Sequence, residues 1–387
     1  MPNLIGRTIK RTHKLLKKKV LPFFQNVYSE FRGFPIGIRY VHSKKDRGVY
    51  IGWLGNGNLG DEALFQAIQD IFSKDICFLG NWQNYFLLSC LLKQWKPKVI
   101  FLGGGTLIGA DLYLKDLEFV RQVSPKSKVV VFGTGVRDVE MWKSFGVKTN
   151  MDIWKNVLRL SNFIGVRGPL SKTFLQTWEL EPNKIQVIGD PVLWLARPKV
   201  KPKGRVKRIG INFGSSNGKV FGRDEAKVQQ FGAHLLQALI ADGWKITIFP
   251  MAKDDETYLL EMVRISCLEP LPIVNCYLDL EEVMARLEDQ DVFIGEKLHS
   301  VVLATCVYTP AIMMEYRTKC RDFMQSIGWE AWTFRTDNLD LDVIFGCIHE
   351  LYENLEMHQQ QLFSVINDYR DRLEHAADQV RNVIRNG

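Results

Sequence analysis

The sequence lacks the cysteine spacings that mark structural metal sites and disulfide frameworks. Its seven cysteines form no CxxC pair, and most of them lie in apolar runs of a 387-residue chain. An odd number of cysteines in so long a chain indicates reduced thiols and a cytosolic protein. Catalysis by a thiolate is the alternative, and Cys320, beside Arg321 and near Lys319, is the thiol that would serve it.

Long apolar runs are also missing. No stretch approaches the roughly 18 uninterrupted apolar residues of a membrane-spanning helix. The first twenty residues argue against a secretory signal peptide, because four lysines interrupt the place of its apolar core: Lys14, Lys17, Lys18 and Lys19. We therefore expect a cytoplasmic protein.

Acidic residues are scarce in one segment only. Residues 1–48 carry twelve Lys or Arg against two acids, whereas the whole chain has a net charge of +8, so the rest sums to −2. We interpret 1–47 as a basic amphipathic arm. Such an arm fits an anionic membrane surface, which attracts each nearby cation by about 1 kcal/mol; a solvated tail is the alternative. Nucleic-acid binding is disfavoured, because the cations lie in this terminal segment and aromatic residues are not interleaved with them on a strand platform.

The rest of the chain alternates short apolar strands with helical patterns, which predicts βαβ units and parallel sheets. We expect an α/β protein with two Rossmann-like domains that face a cleft. The predicted segments are the arm at 1–47, a first Rossmann-like domain at 48–196, a Pro/Lys-rich linker at 197–208, a second Rossmann-like domain at 209–340, and C-terminal helices at 341–387 that pack on the body.

A Gly/Asn turn after the first strand places polar side chains at a helix start. Its glycines allow a ligand to approach the backbone, and Asn58 and Asp61 are candidates to bind substrate hydroxyls or to handle a proton. Capping of the helix is the alternative role for both side chains.

Three successive glycines follow another buried strand. The N–H groups of Gly103, Gly104 and Gly105 are candidates to cradle a phosphate or a carboxylate. The triple-glycine segment has neither a Walker motif nor the GxGxxG spacing, which disfavours a nucleotide site of those types there. Asp111, downstream, is a candidate hydroxyl acceptor or else a surface residue.

Arg167 ends a further strand, and a guanidinium there suits a carboxylate or a phosphate. An ion pair with a neighbouring loop is the alternative. Asp190 stands at another strand end, in Gly-Asp-Pro, and we interpret it as a helix cap.

The segment from Gly295 to Lys319 follows the order strand, polar turn, helix, strand. Lys297 and His299 lie where one strand ends and one helix begins, which is where open α/β sheets bind ligands. Since an unperturbed histidine titrates near neutral pH, His299 is the candidate general base, with a structural histidine as the alternative. Glu315 follows the next apolar run.

Taken in order, six motifs resemble the polysaccharide pyruvyl transferase family. They run from about Val49 to Gly328 and read GNLGDEAL, FLGGGTLIG, GVRGPLSKTFL, VIGDPVL, INFG and KLHSVVLATCVYTPAIMMEYRTKCRDFMQSIG. The resemblance implies a GT-B-like fold and transfer of pyruvate from phosphoenolpyruvate to a sugar as a cyclic ketal, without a metal or a further cofactor. The acceptor would be a cell-surface polysaccharide or its lipid-linked precursor.

One position departs from the family pattern, which usually reads Arg-Leu-His where this chain has Lys297-Leu-His299. Lysine keeps the charge but loses the bidentate fork. Three cations are expected to hold the phosphate and carboxylate of the donor: Lys297, Arg167 and Lys319. The Gly103–Gly105 turn would assist them.

For the same reaction, His299 is the expected base for a hydroxyl, and either Asp61 or Glu315 would protonate carbon. Two rival functions stay open. One is a nucleotide-sugar glycosyltransferase of the same fold, and the other is a catalytically silent scaffold in polysaccharide assembly.

Overall fold

The computed structural model describes residues 37–80, 86–202, 206–274 and 279–386, and it contains two parallel sheets. The apolar pattern of the predicted arm lies before residue 37, outside the described residues. The three residues 203–205 of the predicted linker are also outside them.

The first sheet has seven strands in the order β2-β1-β3-β5-β6-β7, with β4 paired to β5. The strands are β1 (Asp46–Ile51), β2 (Ile76–Leu79), β3 (Val99–Leu102), β4 (Gly105–Ile108), β5 (Lys128–Val136), β6 (Phe163–Val166) and β7 (Ile185–Val187). The helices of this half are α1 (Leu59–Ile71), α2 (Phe86–Gln94), α3 (Asp111–Val123), α4 (Val139–Ser144), α5 (Met151–Arg159) and α6 (Pro169–Thr177). Strands β2, β3 and β6 are buried along their whole length, as expected where helices cover both faces of a parallel sheet.

The second sheet has five parallel strands in the order β12-β11-β10-β8-β9. They are β8 (Arg208–Asn212), β9 (Lys245–Ile248), β10 (Val292–Gly295), β11 (Ala311–Glu315) and β12 (Thr333–Arg335). The helices are α7 (Glu225–Ala241), α8 (Lys253–Ile265), α9 (Leu280–Glu288), α10 (Leu298–Cys306) and α11 (Thr318–Ser326).

These two sheets confirm the predicted α/β architecture. Three strands are missing from the prediction: β2, β4 and the three-residue strand β12. β2 is a four-residue apolar run, too short for periodicity to separate a strand from a helix. β4 begins at Gly105, the last of the three successive glycines, where the sequence suggests only a turn.

Polar contacts at helix starts join the two halves. The Leu59 N–H donates to the Met251 carbonyl at 3.0 Å. In α6, the N–H and the hydroxyl of Ser171 donate to the two carboxylate oxygens of Asp322 in α11, at 3.0 and 2.6 Å. The segments that follow the strands of both sheets therefore meet.

Two C-terminal helices, α12 (Leu341–Glu353) and α13 (Leu355–Arg385), complete the fold. α13 contacts both halves: the Tyr369 hydroxyl donates to the Ser326 carbonyl at 2.6 Å, and the Arg381 Nε lies 2.9 Å from an oxygen of Asp75. Across the described ranges, every helix is too short or too polar to cross a membrane.

The apolar neighbours of the cysteines predict that most of them are buried in the core. Only some of the described cysteines are. Cys77, Cys306 and Cys320 are buried, whereas Cys90 and Cys267 are exposed.

Candidate active site

A cavity of about 250 Å³ opens between the two halves. Its wall comes from β4, from the segments that follow β1, β5 and β6, and from the starts of α10 and α11. The acidic, basic and histidine residues of the wall are Asp61, Arg137, Asp138, Arg167, His299, Arg317 and Lys319. Four arginine or lysine side chains thus share the wall with two carboxyl groups and one imidazole, which suits an anionic ligand.

Asn58 and Asp61 reach the cavity from the start of α1. The Asn58 side-chain oxygen accepts from the N–H groups of Gly60 and Asp61, at 3.0 and 3.4 Å, so Asn58 both caps the helix and lines the cavity. Burial raises the pKa of Asp61 to about 6, although the nearby His299 and Lys319 favour its charged form. A carboxyl group with this pKa can carry a proton close to neutral pH.

His299 is the second residue of α10 and lies against α1. A methyl group built on Gly60 would stand 2.3 Å from the His299 Nδ1, so only glycine at position 60 leaves room for this ring. The His299 Nε2 is 3.6 Å from one oxygen of Asp190, which is fully buried. The other oxygen of Asp190 accepts from the Val192 N–H at 3.0 Å, so Asp190 is a cap that also faces the imidazole.

Arg167 is fully buried and crosses from the first half to the second. Its Nη2 donates to the Thr106 hydroxyl at 3.4 Å, and its Nε is 3.5 Å from an oxygen of Asp322. Gly135 leaves room for the guanidinium, because a methyl group there would lie 2.3 Å from Nη2. Among the described residues, the buried Nη1 of Arg167 has no hydrogen-bond partner, and Arg167 lines the cavity.

Lys319 brings its ammonium group to the same cavity from the first turn of α11. Burial, and then the charge of the neighbouring Arg317, lower its pKa to about 7. The ammonium lies 5.0 Å from the centroid of the Tyr316 ring. An anion bound in the cavity would offset both effects and restore the charge.

Two further cations in the wall, Arg137 and Arg317, are absent from the sequence prediction. Arg137 directly follows β5, so the rule that singles out Arg167 at the end of β6 also applies to it. Arg317 is the N-cap residue of α11, two positions before Lys319. Both guanidinium groups lie over the ring of Trp142, at 4.1 and 5.0 Å from its centroid.

A sequence profile of the family described as polysaccharide pyruvyl transferase matches residues 58–318. The chain belongs to the polysaccharide pyruvyl transferase family. Membership indicates a transferase that acts in polysaccharide modification. No curated protein sequence is significantly similar to this family member.

Solved structures resemble this pyruvyl transferase family member in fold. The UDP-GlcNAc 2-epimerase of Neisseria meningitidis, bound to UDP-GlcNAc, is 11% identical with a TM-score of 0.53, and the match covers 89% of this chain and 100% of that one. A protein of Anabaena in complex with UDP and glucose is also 11% identical with a TM-score of 0.53, over 87% and 98% of the two chains. At this identity the likeness shows the fold alone, and it confirms the GT-B-like arrangement.

Lys297, the position that departs from the usual family motif, does not line the cavity. Its ammonium group is 3.4 Å from an oxygen of Asp255 and donates to the carbonyl of Ser215. Lys297 therefore holds the loop after β8. The lysine that replaces the usual arginine of the family motif is not one of the cations that line the cavity.

Glu315 and Asp111 also lie outside the cavity wall. The Glu315 carboxylate is 2.6 Å from the Nη2 of Arg321. Asp111 accepts from the Asn150 N–H at 3.1 Å and from the Trp154 indole at 3.3 Å, and both contacts tie α3 to α5.

Only the last of the three glycines reaches the cavity. Gly103 and Gly104 pack against the side chains of Tyr50 and Leu64, which a methyl group would approach to 2.0 and 2.2 Å. Gly105 lines the cavity with a φ of 93°, a conformation that favours glycine. No group of three His, Cys, Asp or Glu side chains in the described part of the chain is arranged to hold a metal ion.

Proposed function

We propose that the protein transfers pyruvate from phosphoenolpyruvate to two hydroxyl groups of a sugar and forms a cyclic ketal. The observation that carries the proposal is the cavity between the halves, where Arg137, Arg167, Arg317 and Lys319 surround His299 and Asp61. Phosphoenolpyruvate carries a phosphate and a carboxylate on a three-carbon skeleton. A small cavity with several cations fits such a donor better than it fits a neutral ligand.

The cavity volume supports a small donor. Pockets that enclose drug-sized ligands span roughly 300–1,000 Å³, whereas this cavity measures about 250 Å³. The donor would lie inside, and the sugar would present two hydroxyl groups at the mouth.

The chemistry balances without an oxidant or a reductant. A proton adds to the methylene carbon of phosphoenolpyruvate, and one sugar hydroxyl attacks the adjacent carbon and loses its proton. The C–O bond to phosphate then breaks, and the second hydroxyl attacks the same carbon. The sugar gives up two hydroxyl protons. One restores the proton that the enzyme delivered to the methylene carbon, and the other leaves with hydrogen phosphate.

Asp61 is the proposed proton donor to carbon. Its raised pKa of about 6 keeps part of the population protonated near neutral pH, and its side chain lines the cavity together with His299. Glu315 fits the role less well, because its carboxylate is held by Arg321.

His299 is the proposed base for the attacking hydroxyls. Asp190 would orient the ring, since its buried carboxylate faces the His299 Nε2 at 3.6 Å, and it would stabilise the imidazolium that forms when the ring accepts a proton. Arg167 and Lys319 would stabilise the phosphate as the bond to carbon breaks.

A polysaccharide or its lipid-linked precursor is the proposed acceptor, in agreement with the family assignment. The basic segment 1–47 would bring the protein to the anionic cytosolic face of a membrane, where a lipid-linked saccharide is found. Both statements rest on the family and on the charge of the arm.

The experiment that tests the proposal incubates the purified protein with phosphoenolpyruvate and a panel of β-galactosides and hexosamines. We expect release of inorganic phosphate only with an acceptor, and a product heavier than the sugar by one pyruvate less one water. His299→Ala should lower the rate by at least about a hundredfold with an unchanged circular dichroism spectrum.

Two results would contradict the proposal. Thermal stabilisation by nucleotide sugars but not by phosphoenolpyruvate would favour a glycosyltransferase instead. No phosphate release with any acceptor of the panel, together with no binding of phosphoenolpyruvate, would favour a catalytically silent scaffold.

A further inference from the structure

The short helix α4 of the first half is attached to the second half at both of its ends. At its start, the Thr318 hydroxyl donates to the carboxylate of Asp138, the N-cap residue, at 2.8 Å. At its end, the Arg223 Nη2 donates to the Ser144 carbonyl at 2.7 Å. None of the residues of α4 is buried. Val139 packs on the core of the first half, and the two polar contacts attach both ends of the helix to the second half.

Trp142, in the middle of α4, has three cations over its ring. Measured to the ring centroid, Arg137 lies at 4.1 Å, Arg317 at 5.0 Å and Lys219 at 5.5 Å. Arg137 belongs to the first half, while Arg317 and Lys219 belong to the second. The negative face of an indole attracts such cations, so Trp142 contacts positively charged side chains from both halves.

The two arginines repel each other where they meet. Burial lowers the pKa of Arg137, and the nearby Arg317 contributes to the same shift. The Nε of Arg137 is buried and has no hydrogen-bond partner among the described residues. The Trp142 ring offsets this repulsion. Both arginines line the cavity, and the Arg317 Nε donates to the Lys219 carbonyl at 2.8 Å.

We propose that Trp142 is a positioning residue for the anionic donor. Its ring holds Arg137 and Arg317 together, so that contact between the two halves through α4 completes the anion-binding site. The inference rests on the proposed function in naming phosphoenolpyruvate as the anion. The same arrangement would bind any small ligand that carries a phosphate.

The test compares Trp142→Leu with Trp142→Phe. In the leucine variant, we expect the KM for phosphoenolpyruvate and the Kd for inorganic phosphate, measured by titration calorimetry, to rise about tenfold, while kcat changes less than about threefold. Phenylalanine keeps an aromatic face and should return both constants to within about threefold of wild type. A residue that served only the packing of α4 would not need an aromatic ring.

Trp194→Leu is the matched control. This ring also carries a cation, Arg370 at 5.8 Å, but it does not line the cavity, so phosphate affinity and KM should stay at wild-type values. Because α4 buries none of its residues, circular dichroism of the Trp142 variants should match wild type.

The outcomes separate this inference from the proposed function. Unchanged phosphate affinity in Trp142→Leu, or a loss that phenylalanine does not restore, would overturn the role of Trp142. If the wild-type protein binds phosphate but turns over no phosphoenolpyruvate, while Trp142→Leu still loses affinity about tenfold, pyruvyl transfer fails and the positioning role stands.

Discussion

Asp61 is buried, and its side chain titrates. Above its pKa the charged carboxylate lowers the stability of the fold, although the same side chain is proposed to serve catalysis. In the folded protein its pKa rises from 3.8 to about 6, so the carboxyl group stabilises the fold only while it is protonated. That contribution is complete below about pH 4 and is lost as the pH rises through about 6, on the order of 3 kcal/mol in all.

We therefore predict that Asp61→Asn stabilises the protein at pH 8 but not at pH 4, while it lowers kcat by about 10²- to 10⁴-fold. The Tm measured at both pH values and the rate of phosphate release would check this. In the wild type, kcat should fall as the pH rises through about 6, because the proton donor ionises. A variant that is less stable at pH 8, or fully active, would contradict the assignment.

Lys319 should take up a proton when the donor binds. Its pKa is lowered to about 7, first by burial and then by Arg317, so most of the side chain is neutral at pH 8. A bound phosphate favours the charged form, and binding at pH 8 then draws a proton from the buffer.

Titration calorimetry in two buffers with different ionisation enthalpies would measure this uptake. We expect different apparent binding enthalpies in the two buffers at pH 8, where most of the lysine is neutral before the donor binds. Lys319→Met should remove most of the difference at pH 8. Equal enthalpies for the wild type at pH 8 would exclude the predicted titration.

At the scale of elements, the contact between α1 and α10 depends on one glycine. Gly60→Ala would place a methyl group 2.3 Å from the His299 Nδ1, so the imidazole has to move. We predict a loss of about a hundredfold in kcat, because displacement of a catalytic group by about 1 Å has an effect of this size.

Gly346→Ala is the matched control in α12, where the added methyl group meets no atom within 4 Å. Alanine is the better helix former, so this variant should gain about 0.5–1 kcal/mol in the free energy of unfolding with kcat unchanged. If Gly60→Ala were as active as Gly346→Ala, the imidazole would not be fixed by α1.

The sequence predicts where the site lies more accurately than it predicts which residues line it. Polar residues after the strands of a parallel sheet must gather at one edge, which explains why Asp61, Arg167 and His299 reach the same cavity. The direction of each side chain depends on how the halves pack. Lys297 and Lys319 lie at the starts of neighbouring helices, yet only Lys319 faces the cavity.

The same reasoning explains the residues that the sequence prediction omits. Arg137 follows β5 after a Gly-Thr-Gly segment that reads as a turn, and its role depends on Arg317, a residue 180 positions later in a different half. No pattern in the sequence around either arginine indicates that Arg137 and Arg317 lie close together. Glu315 ends a strand as a catalytic acid might be expected to, but Arg321, one helical turn into α11, neutralises it.

For the whole molecule, the positive charge is concentrated at one end of the sequence. Residues 1–48 hold an excess of ten positive charges, while the remaining residues sum to −2. We predict that the full-length protein floats with anionic liposomes and that a chain lacking residues 1–30 does not, since surface attraction adds about 1 kcal/mol per cation.

Neutral liposomes and anionic liposomes in high salt are the controls, and neither should bind the full-length protein, because salt screens this attraction. Catalytic activity toward a water-soluble acceptor should be the same for both chains. Equal soluble fractions of the two chains with anionic liposomes would rule out a membrane role for the arm.

The long helix α13 has a consequence for the synthesis of the chain. Arg381 contacts Asp75 across 306 positions of sequence and also lies over the Phe72 ring at 5.6 Å. At about 5–20 residues per second, a ribosome takes on the order of 15–60 s between the two. For that interval the surface at Phe72 and Asp75 lacks its contact with Arg381, so the nascent chain exposes a surface that the complete chain covers.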